Sequence, residues 1–237
     1  MTSRYLEKIP SIFELSPFPE TAPLEEEAVI VMAGISDIMV VELPSGEMER
    51  AGSLTSLNAR RSYLGGRYLV RGLLAQWLGI RSRDVPISVD PSGKPFLGEG
   101  GMLHFSISHT DDLIAVVFSS RLVGIDLERK RPLDCTALAQ RFFSPEEAEF
   151  MNHQGTSPDF FRLWSCREAA IKGDGRGLGA LLSRVKIAPA SLANSERVEV
   201  SVEGVLWKTI PWILRGGIHG SVAFHEVPRV IRWCDLR

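Results

Sequence analysis

The sequence predicts an α+β fold made of two similar subdomains with pseudo-twofold symmetry, each a small antiparallel-rich sheet packed on helices. Strand, helix and strand patterns occur in each half of the 237 residues, although the halves show no internal sequence repeat. The composition is 44% hydrophobic, which suits one large core or two small ones. We place the N-terminal subdomain at residues 1–121 and the C-terminal subdomain at residues 122–237.

Proline and glycine positions and the spacing of apolar residues predict the secondary structure of the N-terminal half. Four prolines within residues 1–25 predict an irregular lead-in. The β-branched runs at 28–32 and 38–43 predict a hairpin. The apolar spacing from 58 to 78 predicts a helix that ends at Gly79.

Shorter elements are expected along the rest of the chain. Residues 103–110 predict a strand, and residues 113–118 with 122–127 predict a second hairpin. Ser144, followed by proline and then by glutamate three residues on, is a helix start, and a further helix is expected over 157–172. The remaining strand predictions are residues 198–202, 205–210 and 221–224.

Charge and cysteine content exclude several classes of protein. The net charge of -2 gives no overall field for nucleic acid, so no nucleic-acid partner is expected. Three widely spaced cysteines form no CxxC pair, which is typical of a reducing compartment. The sequence has neither a signal segment nor a long apolar run, so no membrane association is expected. We therefore expect a cytoplasmic protein, and a monomer is the simplest expectation.

Two short motifs carry the chemistry. Asp126 and Glu128 alternate with apolar residues in a predicted strand, so both carboxylates project from one face. Glu168 and Lys172 are four apart on a predicted helix and share a face. Three hard oxygen ligands beside an ammonium suit a magnesium ion that holds a pyrophosphate, which predicts a magnesium-dependent phosphoryl-transfer enzyme. Taken singly, the first pair is more typical of a solvated strand face and the second of a surface salt bridge, so the prediction depends on their combination.

Four blocks of the sequence occur in a fixed order. They are Ser92-Gly93-Lys94-Pro95, Phe105-Ser106-Ile107-Ser108-His109, Val123-Gly124-Ile125-Asp126-Leu127-Glu128, and residues 161–172, which read Phe-Arg-Leu-Trp-Ser-Cys-Arg-Glu-Ala-Ala-Ile-Lys. Together they resemble the Sfp-like (surfactin-synthetase-activating) group of the 4'-phosphopantetheinyl transferase superfamily. The resemblance covers roughly residues 56 to 180, about half of the chain. Arg167 departs from the lysine that the family usually places before the glutamate, which leaves the role of this position open.

The resemblance implies a role for each matching residue. Asp126, Glu128 and Glu168 would bind Mg²⁺, with Mn²⁺ as a second candidate ion, and Lys172 would contact the pyrophosphate of coenzyme A. Asp126, Glu168 and Lys172 are the catalytic candidates, with Glu168 as the base. The remaining coenzyme A contacts would be Ser108 and His109 at the phosphates, Lys94 near the adenine nucleotide, and Arg61 and Arg67 at the 3′-phosphate.

The resemblance also implies the reaction. The 4′-phosphopantetheine arm of coenzyme A would move to a serine of an apo acyl or peptidyl carrier protein, releasing adenosine 3′,5′-bisphosphate. The carrier would dock against the segment from Arg129 to Met151, which offers four cations. Two alternatives stay open: a magnesium-dependent phosphohydrolase of nucleotide pyrophosphates, and a non-catalytic coenzyme A-binding protein. We expect the large aromatic residues Phe142, Phe143 and Trp164 to be core rather than ligand contacts.

Overall fold

The computed structural model of the chain describes residues 6–8, 13–16, 18–98, 103–153, 157–177 and 182–236. Its helices are α1 (Ser45–Ser53), α2 (Leu57–Leu78), α3 (Cys135–Phe142), α4 (Pro145–His153) and α5 (Ser157–Asp174). Its strands are β1 (Leu6–Lys8), β2 (Phe13–Ser16), β3 (Glu27–Gly34), β4 (Ile87–Val89), β5 (Pro95–Leu97), β6 (His104–Thr110), β7 (Leu113–Ser119), β8 (Val123–Arg129), β9 (Val185–Ile187), β10 (Val198–Val202), β11 (Val205–Leu214), β12 (Ile218–Phe224) and β13 (Val230–Asp235).

The strands form two large sheets and one small ribbon. The first sheet has the order β2-β13-β3-β7-β6, and the second has the order β8-β12-β11-β10-β9, with β1 added to β11. The strands β4 and β5 pair only with each other. The pairs are mostly antiparallel, and β13 runs parallel to both β2 and β3. These sheets and helices confirm the predicted α+β fold.

The two sheets pack face to face, and each outer face carries a long helix. Alternating residues of β3 show the arrangement: Val29 and Val31 pack with α2, while Ile30 and Met32 pack against the second sheet. Because side chains alternate across a strand, a strand covered on both faces is apolar throughout. Helix α5 covers the outer face of the second sheet through a separate apolar cluster.

Local signals predicted several elements correctly. Helix α2 ends at Gly79, whose φ of 67° is the left-handed conformation typical of a helix end. Ser144 and Glu147 form the expected reciprocal cap of α4, with the Glu147 amide donating to Ser144 Oγ and the Ser144 amide donating to Glu147 Oε2. The three strands predicted over residues 198–224 are also present, as β10, β11 and β12.

Both predicted hairpins are wrong. The first would need residues 38–43 to pair with β3, but β3 already has β13 on one side and β7 on the other, and residues 38–43 form no strand. The second joins β7 to β8, which lie in different sheets, since β7 pairs with β3 and β6 whereas β8 pairs with β12. A short turn between two apolar runs looks the same whether the chain folds back or crosses between packed sheets.

The ends of the chain exchange strands between the two halves. The C-terminal β13 inserts between β2 and β3 of the first sheet, and the N-terminal β1 pairs with β11 of the second. The predicted irregular lead-in therefore contains two strands. The predicted subdomain boundary between residues 121 and 122 falls in the β7–β8 connection. It stays a prediction, because β13 from beyond the boundary pairs in the first sheet and β1 from before it pairs in the second. None of the helices in the described ranges is both long and apolar enough to cross a bilayer.

Candidate active site

The site lies where the edge strands β6 and β8 of the two sheets meet. Ser106 Oγ accepts a hydrogen bond from the Ile125 amide at 3.2 Å, and Ser108 Oγ accepts one from the Leu127 amide at 3.1 Å. An edge strand has unpaired amides that need acceptors when they are buried. The two serine hydroxyls supply these acceptors, so they join the sheets beside Asp126.

Helix α5 packs directly on β8 because β8 has a glycine at the point of contact. A Cβ atom added to Gly124 would lie 2.0 Å from the Ala169 carbonyl oxygen and 2.4 Å from the Gly173 amide nitrogen. Gly124, Asp126 and Glu128 alternate onto the same face of β8. The close approach therefore places Glu168 and Lys172 of α5 over the acidic side chains of the strand.

The structure brings the three predicted metal ligands together. Oxygen atoms of Asp126, Glu128 and Glu168 lie within 4.8 Å of one another. Asp126 is 2% exposed, and its Oδ1 accepts hydrogen bonds from Lys172 Nζ at 2.6 Å and from Ser108 Oγ at 3.1 Å. Its Oδ2 is buried with no hydrogen-bond partner among the described residues. A buried carboxylate oxygen without a donor is what a coordinating cation would satisfy.

The electrostatics also fit a cation. Burial first, and then Asp126, raise the pKa of Glu128 to about 7 and that of Glu168 to about 8. Two carboxylates at 4.8 Å repel by about 3 to 4 kcal/mol at an effective dielectric constant near 20. Lys172 and, at Glu128, Arg131 offset only part of this repulsion, because both pKa values stay raised. The donor set therefore fits a divalent hard cation, which would let all three carboxyls ionise at neutral pH.

Trp164 has a role that the sequence analysis missed. Its ring packs with Phe160 and Phe142 at centroid distances of 5.5 and 5.7 Å, so part of the core prediction holds. Burial raises the pKa of Glu128 and of Glu168, and Trp164, which lies beside both carboxylates, lowers each pKa by a smaller amount through its indole N–H. The four-residue spacing from Trp164 to Glu168 on α5 was a signal for this contact.

A cavity of about 480 Å³ adjoins the acids and contains most of the predicted coenzyme contacts. Its lining includes Arg67, Lys94, His109 and Lys172. Desolvation lowers the pKa of Lys94, whose Nζ donates to the Gly173 carbonyl at the end of α5 at 3.1 Å. Desolvation and then the Lys172 ammonium lower the pKa of His109, so its ring is neutral at pH 7.

Lys172 is held charged by its neighbours. Burial alone lowers the pKa of this ammonium, but Asp126, Glu168 and Glu128 raise the pKa by more. Its Nζ also donates to Ser108 Oγ at 2.9 Å. Ser108 thus accepts from Leu127 and Lys172 and donates to Asp126, which uses the full capacity of a hydroxyl. We therefore assign Ser108 to holding these groups and keep His109 as the phosphate-contact candidate.

The arginines of α2 divide into separate groups. Arg67 lines the cavity of about 480 Å³. Arg61 lines a neighbouring cavity of about 590 Å³, and His109 lies in the lining of both. Arg60 donates to three carbonyls at the end of α1, and Arg71 pairs with Glu47. Arg61 and Arg67 thus line two adjoining cavities, and the assignment of both to the 3′-phosphate stays a prediction.

Arg167, the position left open, points away from the cavity. It is fully buried, and its Nη1 donates to Glu147 Oε2 at 2.9 Å. Its Nη2 donates to the carbonyls of Phe142 and Leu182, and the guanidinium lies 4.2 Å from the centroid of the Phe143 ring. Arg167 therefore ties α5 to α4 and to the chain beyond α5.

Two family models match this chain. One describes the 4'-phosphopantetheinyl transferase superfamily and matches residues 122–215, and the other describes the N-terminal part of 4'-phosphopantetheinyl transferase and matches residues 36–121. The 4'-phosphopantetheinyl transferase HetI of Nostoc sp. is 37% identical over 162 residues, which are 63% of this chain and 66% of that protein.

Two Bacillus subtilis proteins are also similar. A 4'-phosphopantetheinyl transferase is 30% identical over 160 residues, covering 65% of this chain and 70% of that protein. The 4'-phosphopantetheinyl transferase Sfp is 31% identical over 133 residues, covering 55% of this chain and 58% of that protein. The chain thus matches between 58% and 70% of the length of these three relatives.

Proposed function

Because the chain belongs to the 4'-phosphopantetheinyl transferase superfamily, we propose that it transfers the 4′-phosphopantetheine arm of coenzyme A to a serine of an apo carrier protein. The observation that carries the proposal is the triad of Asp126, Glu128 and Glu168, within 4.8 Å, beside a cavity lined by cationic side chains. Acids alone would repel a pyrophosphate. A divalent cation and Lys172 would together balance the three carboxylates, so that the cation could bind a pyrophosphate directly while Arg67 and Lys94 of the cavity wall add a net attraction.

The proposed step forms one bond and breaks one. The serine Oγ attacks the phosphorus that carries the pantetheine arm, and the bond from that phosphorus to the bridging oxygen of adenosine 3′,5′-bisphosphate breaks. Glu168 accepts the serine proton, directly or through a water molecule. Lys172 neutralises charge that develops on the leaving phosphate, and Lys94 and His109 orient the nucleotide phosphates. A magnesium ion bound by the three carboxylates would neutralise the pyrophosphate.

An assay of 4′-phosphopantetheine transfer to an apo carrier protein tests the proposed function. The purified protein, coenzyme A, Mg²⁺ and an apo carrier protein are mixed, and mass spectrometry measures addition of the pantetheine arm. The proposal expects transfer by the wild type and loss of at least about a hundredfold in Glu168→Gln, the range set by removing a general base. Glu196→Gln, which alters an exposed carboxylate, is the matched control and should retain full activity. Pyrophosphate cleavage without a carrier, or binding without transfer, would refute the proposal.

We further propose that the carrier docks on the chain that follows β8. Residues 130–134 are all exposed and include Lys130 and the apolar Leu133, and Arg141 of α3 is also exposed. Arg129 is tied to Asp111, so it adds less free charge. This segment directly continues the strand that carries Asp126 and Glu128, so a carrier bound there would present its serine near the acids. Positive charge suits the acidic carriers that the resemblance implies.

Charge reversal tests this surface. Lys130→Glu with Arg141→Glu should raise the KM for an acidic apo carrier by about tenfold, because exposed cations mainly accelerate encounter, and added salt should diminish the difference. The KM for coenzyme A should not change. Arg197→Glu, at an exposed position before β10, is the matched control. An equal effect of the control, or no effect of the double variant, would place the docking surface elsewhere.

A further inference from the structure

Arg67, Arg71 and Glu47 form a charged cluster beside the cavity of about 480 Å³, which Arg67 lines, and the proposed reaction gives no role to Arg71 or Glu47. Arg71 is 2% exposed, and its Nε and Nη2 donate to the two oxygens of Glu47 at 2.7 and 3.1 Å. Its Nη1 donates to the carbonyls of Ser82 and Val85 at 2.8 and 2.9 Å. Arg71 thus makes four hydrogen bonds and fixes the Glu47 carboxylate, which comes from α1.

Glu47 in turn faces the arginine that lines the cavity. The Nε of Arg67 lies 3.5 Å from Glu47 Oε1, and Arg67 is 6% exposed. Its Nη1 is buried with no acceptor among the residues that the structure describes. A guanidinium is planar, so a carboxylate that fixes its Nε edge also fixes the direction of its Nη groups. The ring of Tyr63, with its centroid 5.3 Å from the guanidinium carbon, restricts the same side chain.

Resting on the proposed function, we propose that Glu47 is a positioning residue for recognition of the 3′-phosphate of coenzyme A. Arg71 fixes Glu47, Glu47 orients Arg67, and the unpaired Nη1 of Arg67 donates to the phosphate. Two guanidinium groups and one carboxylate leave one positive charge for the anion. The cluster therefore sets the preference for coenzyme A over 3′-dephospho-coenzyme A.

The direction in which phosphate affinity changes when Glu47 is neutralised distinguishes a positioning role of Glu47 from a purely electrostatic one. Neutralising Glu47 makes the cluster more positive, so a field effect alone would tighten binding of a phosphate. If Glu47 acts by orienting Arg67, neutralising it frees the guanidinium and weakens phosphate binding. The two explanations thus predict opposite changes for Glu47→Gln.

The experiment compares two cofactors and two probes. KM and kcat are measured with coenzyme A and with 3′-dephospho-coenzyme A, and calorimetry measures binding of adenosine 3′,5′-bisphosphate and adenosine 5′-phosphate. Glu47→Gln should raise the KM for coenzyme A and the Kd for the bisphosphate by about tenfold, the loss expected for one charge-assisted hydrogen bond. The constants for the two ligands without the 3′-phosphate should stay within about twofold, as should kcat.

Two further variants complete the design. Glu42→Gln removes an exposed carboxylate that pairs with Arg83. It should change neither the ratio of the KM values for coenzyme A and 3′-dephospho-coenzyme A nor the ratio of the Kd values for the bisphosphate and adenosine 5′-phosphate. Glu47→Asp keeps the charge and should restore part of the preference for coenzyme A over 3′-dephospho-coenzyme A. If Glu47→Gln unfolds, the ratio of the KM values for these two cofactors in Glu47→Asp tests the inference instead. Tighter coenzyme A binding, or an equal rise with both cofactors, would overturn the inference. Absence of transfer by the wild type would instead refute the proposed function, and the bisphosphate binding still tests Glu47.

Discussion

Removing Arg167 should destabilise the protein strongly and leave coenzyme A recognition intact. In Arg167→Met, Glu147 keeps hydrogen bonds from the Ser144 and Ile187 amides but loses its cation. Removing one partner of a buried ion pair costs about 3 to 5 kcal/mol. Arg167 and Glu147 are 0% and 1% exposed, so solvent screening does not reduce the effect. Burial lowers the pKa of Arg167 only to about 10, so the arginine is charged at pH 7.

Urea unfolding at pH 7 measures this loss, and a double-mutant cycle isolates the pair. Arg167→Met should lower the free energy of unfolding by about 3 to 5 kcal/mol. The double variant with Glu147→Gln should be less destabilised than the sum of the single variants by about 1 to 3 kcal/mol. Arg229→Met is the matched control; Arg229 is 83% exposed in its pair with Glu26, so its change should stay within about 0.5 kcal/mol. A loss below about 1 kcal/mol together with a raised KM for coenzyme A would refute the structural role and assign Arg167 to phosphate binding.

Three further predictions concern the site. In metal-free protein the folded state keeps protons on Glu128 and Glu168 that the unfolded state has lost, since their pKa values are raised to about 7 and 8, so the melting temperature should fall as pH rises from 5 to 9. Saturating Mg²⁺ should remove most of this fall; identical slopes with and without Mg²⁺ would contradict metal binding here. Gly124→Ala should weaken Mg²⁺ affinity by at least about tenfold, because the added methyl displaces α5 from β8, whereas Gly52→Ala on the open face of α1 should not change it. Trp164→Phe keeps an aromatic ring beside Phe142 and Phe160 but removes the indole N–H, so it should raise the Kd for Mg²⁺ by about five- to tenfold, and a lower melting temperature with an unchanged Kd would leave Trp164 a core residue only.

The sequence predicted what local patterns encode and missed what long-range pairing decides. The end of α2 at Gly79 and the reciprocal cap of Ser144 and Glu147 depend on neighbours within four residues, and both were predicted. Insertion of β13 between β2 and β3 depends on contacts across the whole chain, and nothing local indicates it. The two wrong hairpins have the same cause, since β-branched runs and turns do not identify the partner strand.

The site shows the same division. The periodicities of strand and helix placed Asp126 with Glu128 and Glu168 with Lys172, and the structure brings the two pairs together. The sequence also allowed a prediction that Arg167 points away from the acids. Neighbouring residues on a helix are about 100° apart, so Arg167 cannot share the face of Glu168. The separation of Arg61 from Arg67 could be predicted in the same way, because residues six apart on a helix point about 120° away from each other. Which of the two reaches the cavity could not be predicted, because the rotation of α2 over the sheet decides it.

The strand contacts around Ser108 explain why this site needs both halves of the chain. Ser108 belongs to β6 of the first sheet, and its hydroxyl contacts Asp126 and Leu127 of β8 and Lys172 of α5. An alanine there would leave a buried amide without an acceptor and release both Asp126 Oδ1 and the lysine from their shared partner. The first half therefore supplies Arg67, Lys94 and the hydroxyl, the second supplies the acids and Lys172, and the ligand set has its shape only where the two edge strands meet.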